Sequence, residues 1–354
     1  MEDFTIREGI RSGMALWLEK LSCSGDAVQQ LEHKKKFLAK LAAAPICLAG
    51  PESLEQHYEV PTGFFHLVLG PRMKYSCNLH SGIETAGTGD AADDLAEAEV
   101  RSLDTICQRA GIVDGMQVLD MGCGWGSLSL FLLERFPNCQ VTAVSNSATQ
   151  RLDIEERARQ IPGGSQRLSV CTTDISDFQP GPNRFDRVVS IEILEHMKNV
   201  GALFARVNDW LRPGGKLFSQ ILCHRQFAYN FDTRRNSDTE WMARNFFTGG
   251  SMFSADLFLH MQQHLRLEDL WLINGKHYSR TLEAWLRKLD ALPRDAARRA
   301  LMGPSFAAQE ADEQIANWRK FFIFCSEVFG YENGNQWMVA HHLFAKRQGL
   351  SAAL

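Results

Sequence analysis

The sequence predicts an α/β fold built on a mostly parallel sheet of seven strands, with a helical region before it and helical lid insertions after it. Three observations support this prediction. Between Val113 and Gln220, short apolar runs alternate with helix-length amphipathic segments, the pattern of a parallel sheet with crossover helices. A glycine-rich loop follows the first apolar run. The composition, 45% hydrophobic and 23% charged over 354 residues, is that of a globular protein with a buried core.

The region before the sheet is predicted to be helical over its first 50 residues. Its apolar residues recur at intervals of three and four, as on one face of a helix: Ile10, Met14, Trp17, Leu18 and Leu21. The prolines at Pro45 and Pro51 end this region. A polar, glycine-bearing stretch at 81–95 predicts a loop. The acidic run at 90–99 predicts the start of a helix, because carboxylates are favourable at a helix amino end.

Seven apolar runs are predicted strands: 117–121, 140–145, 168–172, 185–191, 216–222, 265–273 and 337–345. Helices are predicted at 126–136, 148–161, 199–211, 282–289 and 312–329. Pro213-Gly214-Gly215 predicts the turn before the fifth strand, and the aromatic, polar stretch at 224–261 is predicted to cover the carboxyl edge of the sheet as a substrate lid. The predicted organisation is a helical region with a cofactor-covering loop at 1–100, a cofactor-binding core at 101–222, and the lid with the last two strands at 223–354.

Composition excludes several classes of function. With 38 Lys and Arg against 42 Asp and Glu, the net charge is −4, so no basic excess favours nucleic acid or an anionic membrane. No run approaches the roughly 18 apolar residues that cross a bilayer, and the start lacks the features of a signal peptide. The nine cysteines include no C-x-x-C pair. We expect a cytoplasmic protein with a small-molecule partner, no nucleic acid, no metal and no stable membrane insertion; a homodimer is left open.

An acidic strand end and three alternating glycines mark the predicted cofactor site. Asp120 lies in the first strand, and Gly122, Gly124 and Gly126 lead into the next helix. Glycines let backbone amides approach a ligand closely, and the helix amino end adds positive potential. A dinucleotide fingerprint would place its third glycine at position 127, where this chain has Ser127. The pattern G-x-G-x-G after an acid therefore fits S-adenosylmethionine better.

The ends of the second and third strands add polar groups to this site. The second strand ends in Ser145-Asn146-Ser147 rather than in the acid of dinucleotide-binding sheets. Asn146 and Gln150 could hold ribose hydroxyls through amide hydrogen bonds. After the third strand, Asp174 could bind an adenine amino group while Ile175 packs against the ring, although Asp174 could equally cap a helix.

Two carboxylates and an imidazole follow the fourth strand. Glu192, Glu195 and His196 lie where open α/β sheets bind ligands, and such groups are costly among apolar neighbours unless they pair or act in chemistry. An amine with a pKa near that of lysine, about 10.4, is protonated at neutral pH and lacks its nucleophilic lone pair. Glu195 and His196 could orient the ammonium and accept its proton. Both reach one amine only if this stretch is an irregular turn, since consecutive helical residues point in different directions.

Six stretches of the sequence carry a family resemblance. They are YSC at 75–77, VLDMGCGWGSL at 118–128, SIEILEHMKN at 190–199, NFFTGG at 245–250, NGKHY at 274–278 and GYENGNQWMVAHHLF at 330–344. With these stretches, residues 56–347 closely resemble the coclaurine N-methyltransferase family of plant alkaloid enzymes, itself similar to cyclopropane fatty acid synthases. NFFTGG and NGKHY discriminate this family better than the glycine loop, which many methyltransferases share.

The resemblance implies a class I, Rossmann-like fold and methyl transfer from S-adenosylmethionine to the ring nitrogen of a benzylisoquinoline-like or related amine, without a metal. Glu195 and His196 match the family's catalytic pair. Cofactor contacts are implied at Tyr75, Ser76, Gly122, Asn146, Gln150, Asp174 and Ile175, and the glycine-loop argument adds Asp120 and Gly124. The amine pocket is predicted to include Glu192, Phe246, Tyr278, Trp318, Phe321 and Phe322, although aromatics at helical spacing are equally typical of a core.

Departures from the family pattern keep other functions open. Asn78-Leu79-His80 is less aromatic than in the family and Phe253 replaces a lid proline, so the native amine need not be an alkaloid. Five residues fall where cyclopropane synthases keep groups around bicarbonate and a functional cysteine: Cys77, Glu195, His224, Tyr278 and Cys325. Methyl transfer to a lipid alkene is the first alternative, ranked lower because no basic amphipathic stretch suggests docking on anionic membranes. A non-catalytic, cofactor-binding interaction protein is the second.

Overall fold

A computed structural model describes residues 2–47, 61–83, 94–235, 239–302 and 308–347. The helices are α1 Glu2–Leu21, α2 Ala27–Ala43, α3 Thr62–Val68, α4 Leu95–Ala110, α5 Ser127–Arg135, α6 Ala148–Ala158, α7 Gly164–Arg167, α8 Val200–Trp210, α9 Glu240–Asn245, α10 Lys276–Asp290, α11 Arg294–Met302 and α12 Ala308–Gly334. The strands are β1 Gln117–Met121, β2 Gln140–Ser145, β3 Leu168–Thr172, β4 Phe185–Ile191, β5 Leu211–His224, β6 Tyr229–Asn230, β7 Ser251–Ser254, β8 Leu265–Ile273 and β9 Trp337–Lys346.

Seven strands form the main sheet in the order β3-β2-β1-β4-β5-β9-β8. The first five are parallel, and β9 runs antiparallel between β5 and β8. This arrangement confirms the predicted mostly parallel sheet of seven strands. Two short strands add to it: β7 pairs with the end of β5, and β6 pairs with β7. They lie within the stretch at 224–261 that was predicted to be a lid.

The fifth strand differs from its prediction. It begins at Leu211 rather than at residue 216, and its pairing with β4 jumps from Leu211 opposite Phe185 to Lys216 opposite Arg187. The predicted Pro-Gly-Gly turn is therefore a register shift inside the strand. Its cause is local, because Pro213 lacks an N–H and Gly214 adopts a left-handed φ of 78°, so neither continues a regular ladder.

The region before the sheet contains the predicted helices. α1 packs against α12, and α2 packs against α8. Asp94 caps α4 by accepting a hydrogen bond from the Ala96 amide (3.1 Å). α4 runs across the predicted boundary at residue 100, since Leu103 and Ile106 pack into the core on one face of the sheet. Pro51, most of the predicted loop at 81–95 and the acids before Asp94 lie outside the described residues.

Buried side chains cover both faces of the sheet, and a further cluster, rich in aromatic residues, joins α3, α10 and α12. Trp285 of α10 is fully buried in this cluster and contacts Phe322 of α12. This cluster brings the carboxyl-terminal helices close to the glycine loop and the end of β4. Within the described ranges, each helix is too short or too polar to span a bilayer.

Candidate active site

A cavity of about 670 Å³ lies at the carboxyl ends of the parallel strands. Its strand-end wall consists of residues of 120–128, 144–150, 173–175 and 191–197. Its helical wall consists of residues of α1, of α12 and of the insertion between β5 and β8. Because parallel strands all end at the same edge, the sheet topology alone brings the strand-end wall together.

The glycine loop forms part of the strand-end wall. Gly122, Gly124 and Gly126 have φ of 79°, 50° and 74°, in the left-handed region that favours glycine. A Cβ at Gly122 would lie 2.7 Å from Ile193, and one at Gly126 would lie 2.7 Å from Ile154. A Cβ at Gly124 would meet no atom of the described residues within 4 Å, so this glycine faces the space of the cavity. The loop therefore leaves a gap that a side chain would fill.

Polar groups surround this gap. Asp120 is buried at the end of β1, where its carboxylate accepts a hydrogen bond from Ser129 Oγ (2.7 Å) and where burial raises its pKa to about 6. Ser145 Oγ donates to Gln150 Oε1 (2.7 Å), which fixes the amide at the cavity. Asp174 accepts a hydrogen bond from the Ser176 amide (2.7 Å). Asp174 thus stabilises a turn and also lines the cavity.

The irregular turn that the sequence required is present. Leu194–His196 forms a single 3₁₀ turn after β4, and both Glu195 and His196 line the cavity. Glu195 Oε1 accepts a hydrogen bond from the Leu222 amide (2.5 Å), whereas Oε2 is buried with no hydrogen-bond partner among the described residues. Burial, reinforced by the charge of Glu192, raises the pKa of Glu195 to about 8. This carboxylate is therefore suited to accept a proton near neutral pH.

Burial shifts the pKa of His196 in the opposite direction from that of Glu195. Burial, with a smaller contribution from Lys198, lowers the pKa of His196 to about 4, so its imidazole is neutral at pH 7. Its ring packs edge-on against Phe247 at a centroid distance of 4.7 Å. The turn therefore presents a neutral imidazole next to a carboxylate with a raised pKa.

Glu192 differs sharply from Glu195, although both are buried. Glu192 Oε1 accepts hydrogen bonds from the Cys77 amide (3.0 Å) and Gln220 Nε2 (2.7 Å), and Oε2 accepts one from the Tyr278 hydroxyl (3.3 Å). Its backbone is left-handed, with φ of 52°, an uncommon conformation for glutamate. Burial raises the pKa of Glu192, and Lys74 with these donors opposes the rise.

The chain is similar to several proteins of known function. Residues 50–338 match the family model described as mycolic acid cyclopropane synthetase. (S)-coclaurine N-methyltransferase from Thalictrum flavum subsp. glaucum is 36% identical over 301 residues, which cover 83% of this chain and 78% of that protein. The crystal structure of coclaurine N-methyltransferase bound to N-methylheliamine and SAH superposes with a TM-score of 0.86 at 33% identity, covering 96% of this chain and 94% of that one. The chain belongs to the coclaurine N-methyltransferase family.

The family assignment confirms the predicted fold, cofactor class and reaction class: the protein is an S-adenosylmethionine-dependent N-methyltransferase. Cyclopropane-fatty-acyl-phospholipid synthase from Escherichia coli (strain K12) is a more distant relative. It is 29% identical over 237 residues, which cover 66% of this chain and 55% of that protein. The strand-end wall fits the cofactor, because it combines the open space at Gly124 with the buried carboxylate of Asp120.

The nine residues predicted to contact the cofactor all line the cavity: Tyr75, Ser76, Asp120, Gly122, Gly124, Asn146, Gln150, Asp174 and Ile175. The predicted catalytic pair, Glu195 and His196, also lines the cavity. The structure therefore brings these eleven positions to one cavity. Their individual contacts to the cofactor and the amine remain predictions.

The residues predicted to bind the amine divide into two groups. Glu192, Tyr278 and Phe321 line the cavity, whereas Phe246, Trp318 and Phe322 pack in the aromatic cluster behind it. Helical spacing explains the division. Trp318 and Phe322 lie four residues apart on one face of α12, with ring centroids 5.7 Å apart, and Phe321 points to a different side. Phe246 stacks on Phe321 at 4.2 Å, so it supports the cavity wall without forming it.

Sequence reasoning missed part of the helical wall. The missed residues of this wall are Ile6, Gly9, Ile10, Gly13, Met14, Leu16, Trp17, Tyr229, Phe231, Phe247, Phe324 and Val328, and Lys74 lines the cavity outside it. A usable signal was the pair Gly9 and Gly13, because two glycines four residues apart are unusual inside an amphipathic helix. Of the five residues matched to cyclopropane synthases, Glu195, Tyr278 and Cys325 line the cavity, but Cys77 and His224 do not.

Proposed function

We propose that the protein methylates the nitrogen of a small or medium amine that carries an aromatic or benzylisoquinoline-like ring system. The observation that carries this proposal is the cavity-facing turn with Glu195 and His196. There a buried carboxylate oxygen lacks a hydrogen-bond partner among the described residues, beside a neutral imidazole. A substrate ammonium would donate a hydrogen bond to Glu195 Oε2 and would place a positive charge next to the carboxylate.

The proposed chemistry has two requirements. When bound, S-adenosylmethionine supplies a methyl group activated by a sulfonium charge. The amine must present a lone pair, and at neutral pH that pair is occupied by a proton, since such amines have a pKa near about 10. Glu195, with its pKa raised to about 8, accepts this proton, while His196 orients the nitrogen as a neutral hydrogen-bonding group.

The strand-end wall is proposed to hold the cofactor. Asn146 and Gln150, which line the cavity, bind the ribose hydroxyls in this proposal, and Asp174 with Ile175 binds and covers the adenine. Gly124 leaves room for close approach to the backbone. This assignment uses the polar side of the cavity and leaves the helical wall for the acceptor.

The helical wall supports an aromatic acceptor. Met14 and Trp17 of α1, Phe321 of α12 and Phe247 of the insertion line it, and ring faces attract a substrate cation by about 1–2 kcal/mol. The relative named (S)-coclaurine N-methyltransferase and the solved structure that holds N-methylheliamine support the same class of acceptor. The cavity is large enough for a multi-ring amine beside the cofactor.

Isotope transfer tests the proposal. The protein is incubated with methyl-labelled S-adenosylmethionine and a panel of benzylisoquinoline-type amines, single-ring amines, aliphatic amines and phospholipids with unsaturated chains. We expect label on ring-bearing amines, with the highest kcat/KM for multi-ring acceptors. Label in lipid, or no turnover with the whole panel, overturns the proposal.

A further inference from the structure

A chain of hydrogen bonds runs from α4 through the sheet to Glu192. Arg109 Nη1 contacts His341 Nδ1 (2.8 Å), His341 Nε2 contacts Gln220 Oε1 (2.9 Å), and Gln220 Nε2 donates to Glu192 Oε1 (2.7 Å). We propose that Arg109, His341 and Gln220 are positioning residues that orient Glu192 and keep its carboxylate ionised next to Glu195. This inference rests on the proposed function, because it assigns a role for Glu192 in the same site.

The two ends of the chain determine the direction of every bond in it. A guanidinium has donors but no acceptor, so His341 Nδ1 must accept from Arg109 and the ring proton must lie on Nε2. His341 Nε2 then donates to the carbonyl oxygen of Gln220, which leaves the amide Nε2 to donate to Glu192. All three bonds therefore point donors toward the carboxylate, and each strengthens the next.

The fold holds the hydrogen-bond chain from Arg109 to Glu192 rigidly. Gln220 of β5 and His341 of β9 are direct partners in the antiparallel register, and both side chains are buried. Arg109 lies over the ring of Trp271 at 4.9 Å, which fixes the guanidinium at the start of the chain. Burial, assisted by the charges of Arg109, Lys74 and His342, lowers the pKa of His341 well below its usual value, so the ring is neutral at working pH.

The hydrogen-bond chain explains why the two buried carboxylates, Glu192 and Glu195, differ in the number of donors that they receive. Glu192 faces Lys74, the Cys77 thiol and amide, the Tyr278 hydroxyl and Glu195, and it receives three hydrogen-bond donors. The Glu195 carboxylate accepts a hydrogen bond from the Leu222 amide at Oε1, and within the described part of the chain no donor reaches its Oε2. A proton shared between the pair is therefore favoured on Glu195, and the ionised Glu192 increases the basicity of Glu195 by repulsion. The chain thereby sets the strength of the base that deprotonates the amine.

Substitution of one of two adjacent histidines tests the chain. His341→Phe removes the chain's middle member. His342→Phe is the matched control, because His342 is equally buried on β9 but its ring contacts Phe258 and Phe344 and not Gln220. His341→Gln is the rescue variant, since its amide can accept from Arg109 and donate to Gln220. Thermal unfolding and cofactor affinity by calorimetry identify any variant that merely fails to fold.

For His341→Phe we expect kcat to fall about tenfold or more, the effect of losing a hydrogen bond to a charged group. The rise of kcat with pH should move to lower pH, because the shared proton then moves to Glu192 and Glu195 ionises earlier. One amine is used throughout, so that its own ionisation cancels. His341→Gln should restore the wild-type pH profile, and His342→Phe should keep it. An unchanged profile in His341→Phe, or an equal shift in His342→Phe, overturns the proposal.

A measurement independent of turnover separates this inference from the proposed function. Nitrogen-15 NMR of the histidine rings should show His341 neutral with its proton on Nε2 from pH 6 to 9, assigned by the signals missing in His341→Gln. A proton on Nδ1, or a ring that titrates in this range, overturns the chain even if amines are methylated. Failure to methylate any amine, with the expected tautomer present, refutes the proposed function and leaves the hydrogen-bond chain supported.

Discussion

The two walls of the cavity are built in opposite ways. The strand-end wall uses loops that directly follow β1, β2, β3 and β4, and it presents backbone, carboxylates and amides. The helical wall uses α1, α12 and the insertion after β5, which are far apart in the chain, and it presents apolar and aromatic side chains. Sheet topology determines the first wall, whereas packing between distant helices determines the second.

Because of this difference, ligand binding on the two walls should respond differently to substitution. A ligand on the strand-end wall depends on backbone geometry, so a single added side chain should exclude it. A ligand on the helical wall depends on the shape of an apolar surface, so substitutions there should change selectivity by degrees. Variants in one wall at a time test whether cofactor binding depends on the strand-end wall alone and acceptor binding on the helical wall alone.

The largest effect is expected from Gly124→Val on the strand-end wall. The added side chain would occupy cavity space in which no atom of the described residues approaches within 4 Å, and it would strain a backbone with φ of 50°. We expect cofactor affinity to fall by about 10³-fold or more, about 4 kcal/mol, in isothermal calorimetry. Gly181→Val is the control, because Gly181 has φ of 86° and equal space but lies away from the cavity. Equal losses in both variants would assign the effect to strain.

The same contrast explains what the sequence could predict. Asp120, Gly122 and Asn146 were identified because strand ends and loops are recognisable as local patterns, and topology then brings them together. Trp318 and Phe321 could not be distinguished, because helical spacing gives a face but not the neighbour that it meets. The hydrogen-bond chain to Glu192 was not predictable, since it depends on the register of β5 and β9.

The next largest effect is expected at the 3₁₀ turn Leu194–His196 of the strand-end wall. Glu195→Gln keeps the size of the side chain but removes the base, so kcat should fall by roughly 10²-fold with cofactor affinity unchanged. In the wild type, kcat should rise from pH 7 to pH 9, because the base form of Glu195 accumulates as pH passes its pKa of about 8. The glutamine variant should lose the step centred near pH 8 and keep only the steady increase that comes from the growing fraction of free amine. Stopped-assay kinetics across this range check both points, and near-normal turnover in the variant would contradict the role of Glu195.

A smaller effect is expected on the helical wall at α1. Gly13 lines the cavity, and a Cβ added there would meet no atom of the described residues within 4 Å. Gly13→Leu should therefore narrow the space for the acceptor. We expect kcat/KM to fall about tenfold for a multi-ring amine and little for a single-ring amine, the size expected of a few methylenes in an apolar pocket. Ala15→Leu, on the exposed side of α1, is the control. Equal losses for both amines would show that α1 does not set acceptor size.

The smallest effect concerns what holds α1 in place. Arg7 Nη1 lies 2.7 Å from Glu283 Oε1 and from Glu327 Oε1, joining α1 to α10 and α12. Arg7 and Glu283 are partly buried and Glu327 is buried, so Arg7→Ala should reduce the free energy of unfolding by about 1–2 kcal/mol, more than a surface pair contributes. The exposed Lys35–Glu32 pair on α2 supplies the control, where Lys35→Ala should cost less than about 0.5 kcal/mol.

The Arg7 variant also tests the separation of the walls. Weakening the attachment of α1 should loosen the helical wall, so the KM for the amine should rise about twofold to fivefold, as expected when a partly buried ion pair is lost. The strand-end wall does not contact Arg7, and the dissociation constant of the cofactor should stay unchanged in calorimetry. If both constants change together, α1 closes over the cofactor as well as the amine, because a helix that served one wall alone would leave the other ligand unaffected.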